Sequence, residues 1–101
     1  MNKRMDFIDL LKINNEIPEC RNLLDKLLEY YNLKDIETGG VYGKVFHALY
    51  YENYGTYDEI MYEYCITPVT FHRYRIQYNN LALELSSEQL KSDFNLSKNG
   101  R

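Results

Sequence analysis

Residues 56–81 decide the fold of this chain, and they read TYDEIMYEYCITPVTFHRYRIQYNNL. The first four residues match a capping box, in which the Thr56 hydroxyl accepts a hydrogen bond from the backbone N–H of Glu59 while the Glu59 carboxylate accepts one from the backbone N–H of Thr56. A capping box fixes the start of a helix, so we expect a helix over about 57–65.

A second helix start follows at Thr67 and Pro68. Threonine is a favoured N-cap residue, and proline fits the first helical position because no N–H is needed there. We therefore predict a tight turn through Ile66 and a helix over about 68–81. Apolar residues at spacings of three and four place one side of this helix against the core: Phe71, Tyr74, Tyr78, Leu81 and Leu85.

The outward side of this second helix carries residue types that can read DNA. By helical phase it presents Val69, Thr70, His72, Arg73 and Gln77, with Arg75 and Asn79 to the side, where phosphates would run. The sign of the charge changes within the motif, because Glu52 to Glu63 holds four acids and no base, whereas residues 66–83 hold two arginines, one histidine and no acid. An acid-free helix suits the major groove, since carboxylates there would be repelled by phosphate on both walls.

The runs Thr56–Ile60 and Cys65–Arg75 resemble the helix-turn-helix of region 4 of bacterial sigma factors. Relatives of that motif include the small ArpU- and RinA-like transcription regulators of phages and mobile elements, and the resemblance extends from Val45 to about Leu85. It implies a sequence-specific DNA-binding transcription regulator that places the helix at about 68–81 in the major groove of double-stranded DNA. It also implies a homodimer or a complex with RNA polymerase, between which the sequence does not choose.

The resemblance and the helical phase select nearly the same residues for DNA. In the family, residues just after the N-cap threonine meet bases, and the Thr67 cap with the helix N-terminus would add a phosphate contact. The predicted DNA-binding residues are Thr67, Pro68, Val69, Thr70, His72, Arg73, Arg75 and Gln77.

The rest of the chain also carries helical periodicity, so we predict an all-α fold, a small helical bundle with a C-terminal helix-turn-helix. We expect helices over about 4–14, 18–32 and 41–53. Gly55 should end the helix at 41–53, and residues 38–40 should form a hinge between that helix and the helix at 18–32. We assign residues 1–38 to an N-terminal helical segment for packing or partner binding, 41–91 to the DNA-binding region and 92–101 to a flexible tail. The leucine stripe of residues 23–28 serves either the core or a partner helix.

Composition limits the classes of function. A chain of 101 residues with 45% apolar and 27% charged residues is typical of one soluble domain. It has neither a signal-peptide pattern nor a run of about 20 apolar residues, so we expect a cytoplasmic protein without membrane contact. Cys20 and Cys65 show no metal-ligand spacing, and no catalytic motif is present. We expect no enzyme, no cofactor and no metal.

Two other interpretations stay open at this point. Any amphipathic helix pair with a tight turn imitates this motif, so the hairpin is either functional or purely structural. The net charge of −3 also favours an adaptor that binds a host protein through an acidic, tyrosine-rich surface at Glu52 to Tyr64. DNA binding should be salt-sensitive and depend on Arg73 and Arg75, whereas adaptor binding should depend on Tyr54, Glu59 or Tyr62.

Overall fold

A computed structural model describes residues 5–52 and 56–94 of the chain. These residues form six helices and no strand, which confirms the prediction of an all-α fold. The helices are α1 (Phe7–Ile13), α2 (Pro18–Thr38), α3 (Tyr42–Tyr50), α4 (Tyr57–Glu63), α5 (Pro68–Leu85) and α6 (Glu88–Asp93). In the described part of the chain, none of these helices has the length and apolarity needed to cross a membrane.

The structure contains both helix starts that the capping residues Thr56 and Thr67 predict. The Thr56 hydroxyl accepts from the backbone N–H of Glu59 at 3.2 Å, and the Thr56 N–H donates to the Glu59 carboxylate at 3.2 Å, so the capping box of α4 is confirmed. Thr67 caps α5 and Pro68 is its first residue, as predicted. At the start of α1, the backbone N–H of Asp6 donates to the Asp9 carboxylate at 3.2 Å, a contact that was not predicted.

Helix α2 is longer than the sequence interpretation expected. It continues past residue 32 to Thr38 and ends where Gly39 adopts the left-handed conformation at φ 74°, its N–H donating to the carbonyl of Asp35 at 2.7 Å. A glycine in that conformation is a common helix terminator, because other residues meet a steric penalty there. The Asp35 carboxylate then accepts from the N–H of Gly43 at 2.8 Å, which ties the last turn of α2 to the first turn of α3.

Helices α2 and α3 approach closely at Gly43. A methyl group at this position would lie 3.0 Å from the backbone N and Cα atoms of Asn32. Because those are backbone atoms of a helix, they cannot move aside as a flexible side chain would. The hydrogen atom of glycine therefore sets the distance between the two helices.

The centre of the core is aromatic. Tyr78 of α5 is fully buried, with its ring 4.9 Å from that of Tyr31 and 5.0 Å from that of Phe46, both edge to face. Its hydroxyl donates to the carbonyl of Tyr42 at 2.7 Å, so the buried polar atom is satisfied. Burial, and after it the neighbouring tyrosines Tyr50 and Tyr31, raises the pKa of Tyr78 well above its usual range, and the phenol stays protonated.

A single cluster of buried side chains contains members of all six helices. It therefore joins the predicted 1–38 segment to the predicted 41–91 region. Helix α6 was not predicted, and it contributes the buried Leu90 and includes Ser92 and Asp93 of the expected tail. The remainder of that tail beyond Phe94, like the Gly55 helix end, lies outside the described residues.

The inward face of α5 differs from the prediction at its C-terminal end. Phe71, Tyr74 and Tyr78 are buried as expected, but Ala82 is the next buried residue and Leu85 is 48% exposed. Leu85 has the same helical phase as Tyr78, but it is the last residue of α5 and lines an open surface groove with Leu23 and Lys26, so the prediction that Leu85 faces the core is wrong.

Candidate nucleic-acid interface

The link between α4 and α5 is a turn of four residues, 64–67. Cys65 adopts a left-handed conformation at φ 55°, and the N–H of Ile66 donates to the carbonyl of Met61 at 3.0 Å. A residue other than glycine costs about 1 kcal/mol in this conformation. This backbone strain lies in the turn where the chain changes direction between α4 and α5.

The N-terminus of α5 is ordered by its own threonines. The Thr67 hydroxyl accepts from the backbone N–H of Thr70 at 3.1 Å and lies 3.1 Å from the Thr70 hydroxyl oxygen, to which it donates. Thr67 and Pro68 are exposed, and Thr70 is half-buried at the edge of the helix. The first turn of α5 therefore presents a capped, solvent-facing N-terminus.

The outward face of α5 is wider than the sequence interpretation described. Val69, His72, Arg73 and Gln77 are exposed, as their helical phase predicted. The same face also exposes Ile76 and Asn80, which were not among the predicted residues. Ile76 follows Val69 by seven positions, so the helical repeat alone could have identified it.

The two arginines of α5 have different surroundings. Arg73 is exposed and forms no ion pair with any residue that the structure describes. The guanidinium of Arg75 lies over the ring of Tyr57 at 4.7 Å and 3.9 Å from a carboxylate oxygen of Asp6, with 24% of the side chain exposed. Arg73 is thus available to a ligand, whereas Arg75 is engaged at the junction of α1, α4 and α5.

Asn79 is engaged in the same junction. Its side-chain oxygen accepts from the backbone N–H of Ile8 at 3.0 Å, which satisfies one of the free amides at the start of α1. Asn79 and Arg75 together hold α1 against α5. The side of α5 that the sequence interpretation gave to phosphates is therefore occupied by the protein itself.

Helix α4 has a small buried face and an acidic exposed face. Ile60 is buried, Tyr64 is half-buried against the core, and Tyr57 is exposed although its ring lies 5.2 Å from that of Phe71. Outward, Tyr62 is 87% exposed beside the exposed carboxylates of Asp58, Glu59 and Glu63. Of the other residues proposed for an adaptor surface, Glu52 pairs with His47 at 2.7 Å, and Tyr54 lies outside the described residues.

Residues 5–52 and 56–94 contain no group of three or more histidine, cysteine, aspartate or glutamate side chains arranged to hold a metal ion. Comparison of the chain with family models, curated proteins and solved structures finds no match in any of the three.

Proposed function

We propose that this protein is a sequence-specific DNA-binding transcription regulator that inserts α5 into the major groove. The observation that carries the proposal is the exposed outward face of α5 over residues 69–80, which holds no acid before Glu84 and is centred on Arg73, a residue that forms no ion pair with any described residue. The chain has a net charge of −3, so a face without acids marks the surface that a polyanion can approach. The resemblance of residues 56–75 to a sigma region 4 helix-turn-helix supports the same surface.

The residues of α5 take distinct roles in this proposal. Arg73 and His72 donate to base edges or phosphate, Gln77 reaches a base edge, and Val69 and Thr70 contact base edges and thymine methyl groups. The N-terminus of the helix, with Thr67 and Pro68, meets a phosphate. Arg75 does not contact DNA in this proposal, because a phosphate contact would require its guanidinium to leave Asp6 and Tyr57. Its role is to hold α1 and α4 against α5.

The basic surface of α5 is small, and this bears on partners. One free arginine and one histidine neutralise few phosphates, so a single copy binds weakly. We propose that a second copy of the chain or RNA polymerase supplies the remaining affinity, in the cytoplasm and without a catalytic step. The small regulators of phages and mobile elements that the sequence resembles are the model for this arrangement.

Fluorescence anisotropy on random and genomic double-stranded DNA across a salt series tests the proposal. We expect log affinity to fall with log salt, and the slope to become shallower by about one unit in Arg73→Ala. Arg21→Ala is the matched control, since Arg21 is an exposed arginine of α2, and it should leave the slope unchanged. Absence of binding at low salt by folded protein would refute DNA recognition.

A second function, that of a protein adaptor, is favoured by one observation on α4. Tyr62 is 87% exposed among three exposed carboxylates, and exposed tyrosines are common anchors at protein interfaces. An adaptor using this surface should cross-link to purified RNA polymerase, lose that contact in Tyr62→Ala and keep it in Arg73→Ala. The opposite dependence would assign the contact to α5.

A further inference from the structure

Three exposed residues on the outward face of α5 form one line along the helix. Val69, Arg73 and Ile76 follow one another at spacings of four and three, so their side chains share a stripe. Val69 is 63% exposed and Ile76 is 46% exposed. An arginine therefore lies between two branched apolar side chains on a surface that faces solvent.

Helix stability does not explain the two apolar residues. Valine and isoleucine are poorer helix formers than alanine or the long polar residues, because their branched side chains are restricted against the preceding turn. They also lie opposite the buried line of Phe71 and Tyr78, so they add nothing to the core. A ligand that places apolar groups beside a hydrogen-bond acceptor would complement this stripe.

The major groove of DNA presents apolar groups beside hydrogen-bond acceptors where thymine lies next to guanine. The C5-methyl group of thymine is the apolar group on the base edges there, and guanine presents the two acceptors that an arginine binds through both of its donors. We infer that the protein recognises a G·C pair bound by Arg73 and flanked by A·T pairs whose thymine methyl groups contact Val69 and Ile76. Since Val69 and Ile76 are two turns apart, about 10 Å, the contacts fall within about three base pairs. This inference rests on the proposed function.

Uracil substitution tests the inference, because uracil differs from thymine only by the missing methyl group. A site is first selected from a random pool of double-stranded DNA, and each flanking thymine is then replaced by uracil. We expect each replacement to weaken binding of the unaltered protein about fourfold. Val69→Ala should become insensitive at one thymine and Ile76→Ala at the other.

Leu85→Ala is the matched control, because Leu85 is a similarly exposed apolar residue at the far end of the same helix. It should keep full sensitivity at both thymines. Circular dichroism and urea unfolding should show that all three variants are folded, since exposed substitutions usually change stability little.

The outcomes separate this inference from the function on which it rests. Salt-dependent DNA binding with equal affinity for thymine and uracil overturns the inference and leaves DNA recognition intact. Sensitivity that persists in both Val69→Ala and Ile76→Ala, or a selected site without A·T pairs beside a G·C pair, also overturns it. Failure to bind any DNA at low salt refutes the proposed function, and the inference with it.

Discussion

The pair α2 and α3 is packed very differently from the pair formed by α4 and the first turns of α5. Along α2 and α3 the buried residues include Leu24, Leu27, Val45 and Phe46, and the two backbones meet at Gly43. Helix α4 buries only Ile60 among its seven described residues. Its ends are fixed by caps and by a turn instead.

The difference indicates that stability and the candidate binding face belong to separate parts of the molecule. Residues that fill the space between α2, α3 and the inner side of α5 cannot change without loss of packing. The outward residues of α4 and α5 contact little of the protein, so they can change with small effects on folding. Five substitutions test this separation, and their effects are measured as changes in the free energy of unfolding, in local opening or in DNA binding.

Phe46→Ala should produce the largest effect. Phe46 is fully buried and its ring contacts those of Tyr31, Tyr50 and Tyr78. Loss of a buried phenylalanine costs about 3 to 5 kcal/mol, measured by urea unfolding followed by circular dichroism. Ile36→Ala, at an exposed position of α2, should change stability by less than about 0.5 kcal/mol. Similar losses in both variants would contradict the division.

Gly43→Ala should be the next most damaging change. The added methyl group would force α2 and α3 apart at Asn32, at a cost of about 2 kcal/mol in the same unfolding measurement. Lys44→Ala, one position along α3 and exposed, is the control that adds no such contact. A neutral or stabilising effect of Gly43→Ala would show that the two helices can separate without loss.

Arg75→Ala and Arg73→Ala should divide stability from DNA binding. Removing Arg75 ends its contacts with Tyr57 and Asp6, which should cost about 1 kcal/mol, since both partners are partly exposed. Arg73→Ala should leave the free energy of unfolding unchanged while it weakens DNA binding and reduces the salt dependence of that binding. If Arg75→Ala is neutral and weakens DNA binding instead, Arg75 belongs to the binding face.

Thr56→Ala should have the smallest and most local effect. It removes the hydroxyl that accepts from the N–H of Glu59, at a cost of about 0.5 to 1 kcal/mol. Because α4 has few core contacts, hydrogen exchange should accelerate in α4 more than in α2. Glu63→Gln, on the same helix but outside the cap, should leave exchange unchanged. Uniform acceleration across all helices would show that α4 opens only with the whole molecule.

The sequence was informative where a feature depends on neighbouring residues. The capping box at Thr56 and the helix start at Thr67 depend only on residues three positions away. The outward orientation of Arg73 follows from the helical repeat of α5. The role of Arg75 could not be predicted in this way, because its partner Asp6 comes from the other end of the chain. Helix α6 was missed although it carries a similar local signal, because the Ser87 hydroxyl accepts from the N–H of Leu90 at 3.1 Å; its six residues are too few to show a helical repeat.

The contact between Ile8 and Asn79 has a consequence for the order of events during synthesis. The two residues are 71 positions apart, so α1 leaves the ribosome long before the side chain that completes its N-terminus has been made. At ordinary rates of translation the delay is about 4 to 14 s. During that interval α1 has no α5 to dock against, and its apolar residues can pack only against helices that are already made, such as α2. A nascent chain arrested before residue 79 should therefore show α1 more open to proteases than the complete chain.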